Sequence, residues 1–228
     1  MREFNKIFHI GINRTGSKSL CKALRILGIL GIHNRGWGLK RINPELGIKR
    51  SGQWWFTYEE IKLLVKNGKN PLKELDLDSE FDAFIDFPFL HYDFLEKITP
   101  LYSNSLFIFL EVDFEDYWMR RVNRYFVYRD NRLQFPMHRQ YDRYIKKYKT
   151  VDEFIKTKDT FKNYFNERME FTNKFMLKHS KEDILKLNIL GGDEWDKLCN
   201  FLEVDIPEVP FPHIGEHKKH KDLGLYFE

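Results

Sequence analysis

Only two cysteines occur in the 228 residues, Cys21 and Cys199, and each sits inside an apolar helical pattern. That excludes a disulfide framework and suits buried thiols in a reducing compartment. No stretch approaches 18 apolar residues, so no segment reads as membrane-spanning. The first residues, MREFNKIFHIG, carry Arg2, Glu3 and Lys6 and lack the apolar run of a secretory signal; the expectation is a cytoplasmic protein. Internal repeats are absent, as are Gly/Ser-rich or Pro-rich linkers, and at this length one domain with elaborations is expected over residues 1–228. Charge of one sign is also scarce, the net value being +4. Aromatic residues, by contrast, are abundant: 21 Phe, 11 Tyr and 5 Trp make up 16% of the chain, which excludes a disordered or low-complexity protein. The small positive excess is also localised. From Tyr117 to Lys149 ten basic and two acidic residues give a local +8, so the remainder sums to −4.

Strands are predicted at Lys6 to Ile12, Ile29 to His33, Phe81 to Phe87, Leu106 to Val112 and Ile184 to Ile189. The fourth is continuously apolar, as a parallel strand covered on both faces should be. Leu20, Ala23, Leu24 and Leu27 repeat at helical spacing until Gly28. Thr57 with Glu60 forms a capping box, Asp113 and Asp193 are placed to cap the helices that follow them, and a helical elaboration is expected over about 114–180. Strands alternating with helices define an α/β fold, a three-layer sandwich with a central, mainly parallel sheet of about five strands flanked by helices.

Gly11-Ile-Asn-Arg-Thr-Gly-Ser-Lys-Ser19 carries the chemistry. A strand feeding a loop that opens a helix gathers backbone N–H groups and the positive end of a helix dipole at one point, where phosphate or sulfate binds. Arg14 and Lys18 add charge; Asn13, Thr15, Ser17 and Ser19 add polar side chains around Gly16. The loop departs from the nucleotide-hydrolysing pattern, in which the second glycine is followed directly by Lys and Ser/Thr. Here Ser17 intervenes and Lys18 comes one residue late, which misplaces it for the β and γ phosphates of ATP with magnesium and argues against a kinase.

FHIGINRTGSKSLCKALRILG resembles the 5′-phosphosulfate loop of sulfotransferases. Three further landmarks follow in that family's order, between about residues 6 and 213: the Asp86 to Pro88 turn, SLFIFLEVDFEDYW, and GGDEWDKLCNFLEVDIPEVPFPH. The resemblance implies a P-loop-type fold that binds 3′-phosphoadenosine-5′-phosphosulfate (PAPS) and moves its sulfuryl group to a hydroxyl or amine on a small molecule or glycan, leaving adenosine 3′,5′-bisphosphate, with no metal. It assigns Arg14 to the transferring group and Thr15, Gly16, Ser17 and Lys18 to the 5′-phosphate, although Lys18 also reads as a solvated helix residue. Asp86 stands where cytosolic relatives carry a histidine base; the alternative is that Asp86 only caps the turn before Pro88. His33, and less well His91, are the fallback bases. At the positions of the relatives' 3′-phosphate contacts stand Val112 and Arg121, and the expectation is that Arg120, Arg121 or Arg124 reaches that phosphate from the helix, the alternatives being an altered donor preference or a degenerate protein. Lys218, Lys219 and Lys221 are candidates to close over it.

Three other readings remain. The 117–149 patch interleaves tyrosines with basic residues, as a nucleic-acid surface does, but aromatics at helical spacing more often form core. His213, His217 and His220 have no matching carboxylate or thiol for a metal. A degenerate, non-catalytic relative is the third. Trp37, Trp54 and Trp55, with Lys40, Arg41, Lys49 and Arg50, are expected to wall the acceptor pocket. Acceptor identity and oligomeric state stay open.

Overall fold

The computed structural model describes residues 1–33, 58–130 and 150–214. The expectations for the acceptor loop from Trp37 to Trp55, the Thr57 cap, His217, His220 and the lysines from Lys218 onward lie outside these residues, as does most of the basic patch.

Five strands, β1 (Ile7–Ile10), β2 (Gly31–His33), β3 (Ala83–Ile85), β4 (Leu106–Leu110) and β5 (Ile184–Leu187), form one sheet in the order β2-β3-β1-β4-β5. Every pairing is parallel, so the expected mainly parallel sheet is wholly parallel. Helices α1 (Ser17–Ile26), α2 (Tyr58–Lys66), α3 (Pro71–Glu74), α4 (Tyr92–Ile98), α5 (Phe114–Asp130), α6 (Val151–Ile155), α7 (Lys158–Met176) and α8 (Trp195–Leu202) surround it.

Alternation along the strands builds the layers. Ile7, Ile108 and Leu110 pack with Leu20 and Leu24 of α1 and Leu198 and Leu202 of α8. Phe8, Phe84, Phe107 and Phe109 point the other way, onto Ile61 of α2, Phe94 of α4 and Phe175 of α7. This second face is where the phenylalanines are used: Phe8 stacks against Phe84 at 5.7 Å and Phe107 at 6.1 Å. Cys21 and Cys199 are buried free thiols, and burial pushes Cys21 up to about 11.

Several boundaries follow from single residues. Gly28, at φ +82°, ends α1 as expected. The third strand is shorter than predicted because Asp86 takes φ +68° and leaves the extended conformation before the Phe87-Pro88 cis bond. Asp113 Oδ1 accepts the Asp116 N–H at 2.8 Å, the anticipated cap of α5. Asp193 behaves differently from its expected capping role: α8 starts after Glu194, while Asp193 Oδ2 accepts from the Asn188 N–H and from Lys197 Nζ, both at 2.7 Å. It closes the turn after β5 instead.

The functional end of the molecule is set by topology. β1 and β3 are neighbours, yet the chain leaves β1 for α1 on one face of the sheet and leaves β3 for α4 on the other. A crevice opens at the carboxyl ends of strands whose connections diverge in this way, and ligands of open α/β sheets bind there.

Candidate active site

β1 runs into the loop at Gly11, where φ is +108° and a Cβ would meet the Phe109 ring at 2.8 Å, so only glycine fits. Gly16, at φ +100°, closes the loop and caps α1 without any side-chain hydrogen bond, and the first turn of α1 holds no acidic residue. The N–H groups of Ser17, Lys18 and Ser19 precede the first intrahelical bond, from Leu20 to Gly16. Three aligned donors and a helix dipole, with no acidic residue in the turn itself, are the chemistry that suits an anion. Thr15 is fully buried and its hydroxyl donates to the Ile12 carbonyl at 3.0 Å, so it shapes the loop from within. Ser19 Oγ accepts the Ile214 N–H at 2.9 Å and ties the C-terminal segment to α1. Lys18 is exposed. Arg14 is half-buried and holds φ +75°, a conformation that costs an L-residue about 1–2 kcal/mol.

Beside the anion site the structure brings together three of the expected residues. Ser17 donates its hydroxyl to Asp86 Oδ2 at 3.1 Å and lies 3.0 Å from His33 Nε2. That nitrogen lies 3.2 Å from the same Oδ2. Asp86 Oδ1 accepts the Phe87 N–H at 2.8 Å. Although burial alone would raise it, the hydrogen bond and charge of His33, the His9 ring and the Phe87 N–H together hold the Asp86 carboxyl well below the usual carboxylate range. Ser17 and Asp86 meet the same imidazole nitrogen. A nucleophilic serine triad needs them on opposite nitrogens, so the geometry does not fit a serine nucleophile.

Sequence reasoning missed His9. It shares the α1 face of the sheet with Ile7 by alternation, is wholly buried, and its Nδ1 accepts the Asp86 N–H at 3.2 Å. Accepting at Nδ1 places the ring proton on Nε2, which is buried without a partner. Burial is the main cause that lowers His9 from 6.5 to about 4, with Asp86 opposing and the charges of His33 and Arg168 adding to it. Because the folded state binds this proton less readily than the unfolded chain, stability is complete above pH 6.5 and is lost on acidification toward pH 4. This single group is expected to remove about 2–3 kcal/mol between pH 7 and pH 4.5. Urea denaturation at both values checks it, and His9→Asn should flatten that part of the slope.

The basic residues of α5 divide. Arg121 Nη2 donates to Asn13 Oδ1 at 2.7 Å and to the Tyr117 hydroxyl at 2.8 Å, and its guanidinium lies over the Tyr117 and Phe161 rings. Its Nε is buried without a partner. Arg120 is half-buried; the Arg124 side chain lies outside the described residues. Val112 packs against Ile12, Tyr117 and Phe165, which explains an apolar residue where a guanidinium was expected. Tyr117 and Trp118 are core residues, so this part of the patch offers no stacking platform for bases. His91 lies 3.6 Å from Asp93, outside the Asp86 cluster. His213 Nε2 lies 2.9 Å from Glu194 Oε1, and no three His, Cys, Asp or Glu side chains among the described residues gather as a metal site. No described helix is long and apolar enough to cross a membrane.

A family model, the sulfotransferase domain, matches residues 6–220. The chain belongs to that family, as the Gly11 to Ser19 loop and its companion landmarks led us to expect. Among curated proteins no sequence match is found.

Proposed function

We propose that the protein is a single-domain, cytoplasmic PAPS-dependent sulfotransferase acting on a hydroxyl or amine of a small molecule or glycan. The observation that carries this reading is the uncapped, acid-free start of α1 lying beside the Ser17–His33–Asp86 cluster. One element offers donors to an anion; the adjoining one offers a proton acceptor. PAPS, when bound, supplies an activated sulfuryl group on a phosphate leaving group.

The residues present suit that donor. Arg14, Gly16 and the first N–H groups of α1 hold the 5′-phosphosulfate and oppose the charge that grows on the bridging oxygen as its bond to sulfur breaks. Asn13 is held for the donor by Arg121, and Arg121 with Arg120 takes the 3′-phosphate from α5, replacing the contact that Val112 cannot make. As the acceptor oxygen or nitrogen bonds to sulfur, the bond from sulfur to the bridging oxygen breaks and the acceptor's proton passes to the His33–Asp86 pair. Ser17 spans both halves through its hydrogen bonds.

The 3′-phosphate assignment is tested by Arg121→Gln. Affinity for adenosine 3′,5′-bisphosphate is expected to fall roughly 10- to 100-fold, while affinity for adenosine 5′-monophosphate changes little. Equal losses for both ligands in calorimetric titration mean that Arg121 serves only to hold Asn13. Transfer itself is read as release of adenosine 3′,5′-bisphosphate from PAPS in the presence of phenolic, amine and sugar acceptors. Absence of release with every acceptor class, despite donor binding, points to a degenerate relative.

A further inference from the structure

Behind the loop sits a cation that neither the family's landmarks nor the chain order announces. Arg168, on α7, is 3% exposed. Its Nη2 donates to the Gly11 carbonyl at 2.6 Å and to the Leu90 carbonyl at 2.7 Å, and its Nε donates to Gly11 again at 3.2 Å. The guanidinium stacks 4.2 Å from the centre of the Tyr92 ring and 5.7 Å from that of Phe171. All these partners are neutral, and no carboxylate pairs with it among the described residues.

A guanidinium cannot shed its proton to escape burial, so the cost of desolvating it stands unless an anion offsets it. Carbonyl dipoles and ring faces offset part of that cost. What lies next to it is the mouth of an anion site: Gly11 opens the loop, and Leu90 follows the Asp86 turn, so one side chain grips both walls of the crevice. The charge bears on the same strand, since Arg168 is among the causes that lower His9. It is also removed from solvent, and salt screens it far less than an exposed lysine.

We propose that Arg168 is a positioning residue whose fixed positive charge has the donor's anionic group as its missing counter-charge, acting through the Gly11 carbonyl and without touching the donor. The inference rests on the donor-site reading above and goes beyond it by placing part of the anion affinity in a side chain outside the loop.

Charge and geometry are separated by two substitutions. Arg168→Lys keeps the charge and can reach one carbonyl; Arg168→Gln keeps a donor for one carbonyl and removes the charge. Both lose the fork equally. Adenosine 3′,5′-bisphosphate is titrated calorimetrically into each, with the ligand-free melting temperature measured alongside. Arg168→Gln is expected to weaken binding about tenfold or more at an unchanged or higher ligand-free melting temperature, because removing a buried, unpaired charge relieves the free protein. Arg168→Lys should stay within about threefold of wild type. A folded Arg168→Lys protein that loses as much affinity as Arg168→Gln overturns the proposal in favour of a purely geometric pin, as does wild-type affinity in Arg168→Gln. Wild type that fails to bind the bisphosphate overturns the donor reading, and this proposal with it. Should Arg168→Gln not fold, Arg168→Lys decides alone: affinity within about threefold of wild type is the expected result, and a loss of about tenfold or more overturns the proposal.

Discussion

Replacing Arg14 with glycine is expected to slow sulfuryl transfer by about 10²–10³-fold, the usual effect of removing one preorganised donor from a developing charge. Stability should stay within about 1 kcal/mol of wild type. Arg14 occupies φ +75°, where the Cβ of an L-residue is strained and glycine is not; that relief offsets the larger conformational entropy glycine loses on folding. Loss of activity at constant stability is the mark of a residue held in a costly conformation for its chemistry. A steady-state assay with a melt of the same preparation checks both halves. A large drop in stability would instead make Arg14 a structural part of the loop.

The second large effect is expected at Asp86. Asp86→Asn keeps an acceptor for the Phe87 N–H but removes the carboxylate paired with His33, and kcat should fall roughly 10²–10⁴-fold. Donor affinity should move the other way or not at all. The carboxylate is bonded to Ser17, within the first turn of α1, so neutralising it removes a negative charge beside an anion site. Wild-type kcat in Asp86→Asn would leave Asp86 with the capping role alone, expressed through the Phe87 N–H.

Much of this arrangement was legible before any coordinates. A continuously apolar run marks the fourth strand, as a parallel strand covered on both faces requires, and shorter apolar-rich runs mark the other four. The loop from Gly11 to Ser19 is legible because two of its three positive-φ positions, Gly11 and Gly16, hold glycine. Asp86 and His33 each stand out singly, but their meeting at Ser17 is not visible in the sequence, since the contact joins the ends of β2 and β3, 53 positions apart, to the start of a helix. His9 was concealed inside the apolar pattern of β1; its only sequence signal is a polar residue on a strand buried on both faces. Arg168 left less trace still: one basic residue among many on a charged helix, 157 positions from the carbonyl it holds. Buried charges on amphipathic helices read as surface until packing is known.

The central claim, that this loop is built for an adenosine 3′,5′-bisphosphate donor, is met most directly by calorimetric titration of the wild-type protein with that bisphosphate and, in parallel, with ATP and magnesium. Saturable binding of the bisphosphate at one site per chain, with no heat from ATP and magnesium, is the expected result. Binding of ATP with magnesium and none of the bisphosphate would contradict it.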